Sequence, residues 1–172
     1  MDKIVLDLGC GLRPHEEANV AVDIDPVIKQ IERNVEKVLC DLNKVPWPFK
    51  DSSVDKIYCR QVLEHLFIHS FDFFRECYRI LKPNGRLYLE LPNAFHYSTR
   101  LRFLVGRYIV DTSFHPFHVK LLKPSYVVQH LRYLGFDVKL RPTTRLWHSI
   151  GLEQVFPDLF ARSIALEARK RP

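Results

Sequence analysis

Two hydrophobic periods alternate along the chain. Short apolar runs bounded by polar turns read as buried strands at 3–8 (K-I-V-L-D-L), 19–24 (N-V-A-V-D-I), 37–40, 54–59 (V-D-K-I-Y-C), 86–91 (R-L-Y-L-E-L), 136–140 and 161–168. Stretches with apolar residues three and four apart read as helices. The segment 26–33 is a short one, 61–81 carries Leu66, Phe73, Cys77, Ile80 and Leu81, and 124–134 carries Val127, Val128, Leu131 and Leu134. Ser70 is placed to cap the second part of 61–81, and Pro124 and Gly135 bracket the last helix. Pro83-Asn84-Gly85 predicts a turn before the fifth strand. Strands alternating with helices predict an α/β fold: a mostly parallel sheet with helices on both faces. The first connection, 12–19, is too short for a crossover helix, so it must be a loop or a single turn.

Composition narrows the class. A chain of 172 residues, 47% hydrophobic and 27% charged, reads as one globular domain over 1–172 and excludes disordered and fibrous proteins. No apolar run approaches the roughly 18 residues needed to span a bilayer. The N-terminus enters a strand pattern with no signal-peptide layout, which predicts an intracellular, cytoplasmic protein. The four cysteines (Cys10, Cys40, Cys59, Cys77) form no C-x-x-C pair, so they read as reduced, mostly buried thiols, and no metal is expected.

Charge is uneven. Residues 1–92 hold 13 basic against 15 acidic residues, net −2, and residues 93–172 hold 13 against 5, net +8. The stretch 93–123 has no clean period and mixes aromatic with basic residues; a long irregular segment of this kind reads as a lid or a substrate-binding segment. The three parts are thus a ligand-binding half at 1–92, a lid at 93–123, and a last helix with two strands at 124–172.

The first strand runs into Asp7-Leu8-Gly9-Cys10-Gly11. Glycines at the C-terminal end of a parallel strand let a ligand approach the backbone where the crevice of such sheets lies. A dinucleotide site requires G-x-G-x-x-G leading into a helix. Here Leu12, Arg13 and Pro14 follow, the third glycine is missing and no room exists for the helix, which counts against NAD or FAD. S-adenosylmethionine asks for something else: an acceptor for the ribose hydroxyls, one for the adenine amino group, and a partner for a cationic amine. Asp23, with Asp25 in reserve, stands after the second strand, Asp41 after the third, and Asp7 beside the glycines. Each of these aspartates, taken alone, reads equally as a turn cap.

The pieces resemble, in order, those of the class I S-adenosylmethionine-dependent methyltransferases, specifically the broad "methyltransferase domain" group. V-L-D-L-G-C-G (5–11) resembles the first motif, V-D-I-D (22–25) the ribose-binding strand end, and C-D-L (40–42) the second motif. R-Q-V-L-E-H-L (60–66) resembles the junction after the fourth strand, 73–93 the next helix, turn and strand, and 118–138 the later helix and sixth strand. The resemblance implies a Rossmann-like, doubly wound, seven-stranded mixed sheet of order 3-2-1-4-5-7-6 and S-adenosylmethionine as cofactor. The cofactor would be held by Asp7, Gly9, Cys10, Gly11, Asp23, Ile24, Asp41, Leu42 and Arg60. Two departures stand out: Arg13 replaces a further family glycine, and both the first crossover helix and the N-terminal helix are missing, as in a short G-C-G-x-x-P subset. The segment 93–123 or a second copy, as a homodimer, would then serve as the lid.

Methyl transfer from a sulfonium leaves a neutral thioether and asks mainly for alignment. A base is required only for an acceptor that sheds a proton. His65, after the fourth strand, and His118, on the expected cleft rim, are the candidate bases; His96 and His115 are candidate substrate contacts. Each has a plain packing alternative. The +8 half favours an anionic small-molecule, lipid or glycan acceptor, or peripheral membrane contact. RNA is disfavoured because C-R-Q-V after the fourth strand lacks an N-P-P-Y type motif. A non-catalytic cofactor-binding or partner module of the same fold is the alternative from another class.

Overall fold

Residues 3–106, 118–142, 156–160 and 163–172 are described by the computed structural model. The apolar runs become the strands of one seven-stranded sheet: β1 (Val5–Leu8), β2 (Val20–Asp23), β3 (Glu36–Leu39), β4 (Val54–Arg60), β5 (Leu81–Pro92), β6 (Phe136–Pro142) and β7 (Ser163–Lys170). The order is β3-β2-β1-β4-β5-β7-β6. The first five strands are parallel, and β7 is antiparallel to both β5 and β6. β1 lies between β2 and β4 and is buried at every position, as expected for a strand covered on both faces. The C-terminal ends of β1 to β5 therefore share one edge of the sheet.

Helices α1 (Ser70–Ile80), α2 (Tyr97–Leu104), α3 (Pro124–Tyr133) and α4 (Pro157–Phe160) complete the described elements. Leu6, Leu8, Ile57, Leu87 and Leu89 form the sheet side of the main core, with Phe73, Phe74, Cys77 and Ile80 of α1 and Val127 and Leu131 of α3 packed on them. Side chains alternate across a strand, so Val5, Ala21 and Tyr58 point to the other face. Thinner material covers that face. Ile28 and Ile31, in and after a 3-10 helix at Pro26–Gln30, pack on Ala21, and Ala18 from the 9–19 crossover packs on Val5 and Tyr58. The crossover contains turns and no helix, as its length required.

Four sequence expectations shift. The helix expected over 61–81 is split into a 3-10 turn at Leu63–His65 and α1, because the Phe67 and Ile68 amides donate to Asn43 Oδ1 instead of continuing the helix. The cap of α1 is His69, whose Nδ1 accepts the Phe71 amide at 3.2 Å; Ser70 is the first helical residue. The helix expected over 26–33 is the shorter 3-10 turn, capped by Asp25. Pro83-Asn84-Gly85 bulges within β5 without ending it: Val54 pairs with Leu81 and Lys56 with Arg86, and Asn84 absorbs the irregularity at φ 65°. In the stretch without a clean period, α2 appears at its start. No helix among the described residues is long and apolar enough to cross a membrane.

Candidate functional site

The site is built on the turn after β1. Gly9 (φ 66°) and Gly11 (φ 53°) both lie in the left-handed region that a side chain disfavours. A Cβ on Gly9 would stand 2.5 Å from Val62 Cγ2, so that position is closed by packing as well. Gly11 is different: a Cβ there would meet nothing within 4 Å. The turn thus presses down on Val62 at one glycine and opens onto empty space at the other.

The amides of this turn are directed inward. Gly9 N and Cys10 N donate to Val22 O at 2.7 and 3.3 Å, and Gly11 N donates to Asp23 Oδ2 at 2.9 Å. A phosphate site requires such amides to point at the ligand. Here they are bound within the protein, and the carboxylates of Asp7 and Asp23 flank the turn. The geometry fits a ligand that is uncharged or cationic where it meets the loop.

The predicted carboxylates lie at the shared edge, with distinct local duties. Asp7 is 1% exposed; its Oδ2 accepts the His15 amide at 2.7 Å and pairs with Arg60 Nη2 at 3.1 Å. Burial pushes the Asp7 carboxyl above its ordinary value, against the pull of these two partners. Asp23 uses its other oxygen to accept the Asp25 amide at 3.0 Å, and so holds both the glycine turn and its own turn. Asp25 caps the 3-10 helix through Val27 N, which commits its Oδ1 to that turn. Asp41 accepts the Asn43 amide at 3.0 Å; that bond, with Lys44 nearby, holds its carboxyl below the usual range. Cys10 is pushed up to about 11 by burial and by the charges of Asp7 and Asp23, so it is a neutral thiol at pH 7. Ile24 is 63% exposed beside Asp23, whereas Leu42 belongs to the core and offers the crevice only its backbone.

After Arg60 the chain reverses at Gln61, whose φ of 55° is unusual for a residue with a side chain. Its amide donates to Glu90 O at 2.8 Å. This reversal seats Val62 beneath Gly9 and starts the 3-10 turn that carries Glu64 and His65. Glu64 is completely buried, and among the described residues neither carboxylate oxygen has a hydrogen-bond partner. Burial drives its carboxyl pKa upward. His65 Nε2 stands 4.0 Å from Glu64 Oε1, and the His65 and His118 rings meet edge to face at 4.7 Å. The two candidate bases are therefore neighbours. His96 lies elsewhere: it is 3% exposed and caps α2 by accepting the Ser98 amide. His115 lies outside the described residues.

Two residues escaped the sequence reading. Val62 is the floor that makes Gly9 obligatory. Asn43 ties the two loops together, its Nδ2 donating to Asp41 while its Oδ1 accepts the Phe67 and Ile68 amides. Neither carries a sequence signal, since an apolar residue after a strand and an asparagine in a loop are both common. Beside Arg60, on the less covered face, an open groove of about 460 Å³ is lined by His15, Tyr58, Tyr88 and Glu90 among others. There the His15 ring stacks on Tyr58 at 3.6 Å.

Comparison with known proteins agrees with this geometry. The family described as "Methyltransferase domain" matches residues 6–89, which span the glycine turn, Asp7, Asp23, Asp25 and Asp41, and the Glu64-His65 turn. A Mycolicibacterium smegmatis protein named as a probable S-adenosylmethionine-dependent methyltransferase is 34% identical over 113 residues, covering 66% of this chain. The chain spans 39% of that relative's length. A crystal structure of a SAM-dependent methyltransferase from Archaeoglobus fulgidus superposes with a TM-score of 0.70 at 23% identity, covering 98% of this chain and 86% of that one. A Haemonchus contortus phosphoethanolamine N-methyltransferase in complex with S-adenosyl-L-methionine superposes with a TM-score of 0.67 at 16% identity, covering 100% of this chain and 49% of that one.

Proposed function

The chain belongs to the class I S-adenosylmethionine-dependent methyltransferases, and on that premise we propose that it binds S-adenosylmethionine at the C-terminal edge of β1, β2 and β3 and methylates a small-molecule, lipid or glycan acceptor. One observation carries this reading. The glycine turn opens onto free space at Gly11 while its amides are bound inside the protein and its flanking side chains are carboxylates. That environment suits an adenosyl group with a cationic tail and repels a pyrophosphate.

When bound, S-adenosylmethionine supplies a methyl group on a positively charged sulfur whose departure needs no acid. The protein's part is to bind and to align. Asp23 accepts the ribose hydroxyls while still fixing the Gly11 amide, so ligand and loop are held by one carboxylate. Ile24 lends an exposed apolar surface beside it, and Asp41 accepts the adenine amino group. Asp7, steadied by Arg60, supplies negative potential toward the cationic tail. His65 stands at the exit of β4, half-exposed, where an acceptor hydroxyl or amine would be received, and takes its proton if one must leave. The basic second half of the chain favours an anionic acceptor.

Isothermal titration calorimetry with S-adenosylmethionine and its demethylated product tests the reading. Binding at micromolar to sub-millimolar concentration, weakened by Asp23→Ala, is expected. No heat at millimolar cofactor would overturn it and leave a partner module of the same fold. Methyl transfer is then sought with labelled cofactor against lipid, glycan and RNA fractions, and label appearing in RNA alone would replace the acceptor class.

A further inference from the structure

Glu64 is a costly residue without a stated purpose. It is completely buried, and both of its carboxylate oxygens lack a hydrogen-bond partner among the described residues. Buried carboxylates are ordinarily paired, hydrogen-bonded or bound to a metal. What faces it is a pair of imidazoles. Glu64, His65 and His118 each offer one ligand atom, and these atoms lie within 4.8 Å of one another. The backbone makes the grouping a built one: Val119 N donates to Glu64 O at 2.8 Å, which fastens the segment carrying His118 to the turn carrying the other two.

We propose that Glu64, His65 and His118 bind a divalent first-row transition-metal ion at the edge of the crevice. Two imidazole nitrogens and one carboxylate oxygen form a donor set that suits zinc, cobalt, manganese or iron(II), and it leaves coordination positions open. Ligand bonds of about 2.0–2.2 Å require the three donors to draw together by roughly an ångström. His65 is half-exposed and Glu64 is held in the core, so the approach falls to the two imidazoles. A simple histidine–carboxylate hydrogen bond explains less. The Glu64 Oε1 to His65 Nε2 distance is 4.0 Å, and closing it would satisfy one oxygen and leave the other unpaired. The sequence spacing suggested no metal, because His118 is remote in the chain and joins the pair only through the fold.

The consequence for the reaction rests on the methyl-transfer reading. An ion here, adjoining the exit of β4, would occupy the His65 nitrogen and so replace it as the activating group: it would take an acceptor oxygen as a ligand and lower the pKa of a hydroxyl, whose proton would pass to solvent. That points to acceptors with a hydroxyl or neighbouring oxygens. The binding claim itself needs no cofactor, so the two readings fail separately.

The test uses the full chain, freed of metal by a chelator and dialysed. Zinc is measured by equilibrium dialysis, and cobalt by its visible absorption, both without S-adenosylmethionine. One equivalent per chain is expected. Glu64→Gln and His118→Asn should each weaken binding roughly tenfold or more, since each removes a ligand. Circular dichroism confirms that the variants fold; if Glu64→Gln does not, His118→Asn decides. Lack of a stoichiometric site at roughly 100 μM of either metal, or affinity unchanged in either folded variant, would overturn the proposal. Calorimetry with S-adenosylmethionine on the same metal-free sample shows independently whether the cofactor site stands.

Discussion

Asp23 Oδ2 accepts the amide of Gly11 at 2.9 Å, so the residue proposed to grip the cofactor also shapes the glycine turn. Its second oxygen accepts the Asp25 amide, leaving the carboxylate held from two sides. Asp23→Asn keeps an acceptor for Gly11 and should lose about tenfold in cofactor affinity, near 1.4 kcal/mol. Asp23→Ala removes both roles and should lose more, with a small fall in melting temperature. Calorimetry and a thermal melt separate the two effects; equal affinity in all three proteins would refute the assignment.

The two glycines should fail differently. Gly9→Ala places a methyl against Val62 at a backbone angle that disfavours it, and should cost about 1–3 kcal/mol of stability. Adding Val62→Ala should recover part of that loss, because the clash lies between those two side chains. Gly11→Ala meets no neighbour, so its stability cost is limited to about 1 kcal/mol of backbone strain. Its cofactor affinity should fall by more than its stability does. Denaturant melts with cofactor titrations check the contrast.

Acid sensitivity should trace to Glu76. This buried carboxylate accepts the Trp47 amide and pairs with Arg79, which also binds Phe49 O and Asp51, so α1 is fastened to the 47–51 loop. Burial alone would raise its pKa; Arg79 and the Trp47 amide overcome that and hold it below the ordinary 4.5. A depressed folded pKa gives stability that is complete above about pH 4.5 and is lost as the pH falls through the lower, folded value. Glu76→Gln should be less stable at pH 7, by about 1–2 kcal/mol, since Arg79 loses one charged partner but keeps Asp51 and the Phe49 carbonyl. It should also show a flatter stability profile below pH 4.5. Urea melts at pH 3 to 7 measure both, and parallel profiles would contradict the pairing.

Lys170 closes the sheet from its last strand. Its Nζ donates to Tyr78 O at 2.8 Å and Leu81 O at 2.7 Å, and lies 4.4 Å over the Tyr78 ring. Lys170→Met keeps the volume and strands two carbonyls, at a cost of about 1–3 kcal/mol. A melting temperature within a degree of the parent would show that the contact contributes nothing.

The strands, the mostly parallel sheet and the glycine turn are legible in the sequence because they rest on local rules; the strand order is implied only by the family resemblance. Period-two and period-3.6 patterns mark strands and helices, glycines mark left-handed backbone, and a 12–19 link leaves no space for a helix. The aspartates were legible for the same reason, since each closes a strand. What the carboxylates do was not. Only the fold shows that Asp7 holds the crossover through the His15 amide, or that Asn43 binds two loops. Helix 61–81 was misjudged because side-chain acceptors from another segment outbid the next helical turn.

The remaining difference is one of distance along the chain. Sequence alone determined the fold class, the glycine turn at the end of β1 and the acidic character of the loops beside it, all written in neighbours a few residues apart. Tertiary structure alone decided that Val62 seals Gly9, and that His118 comes to the buried Glu64 and His65 from more than fifty residues away. Such contacts depend on where loops return after the sheet has formed, and no local period encodes that.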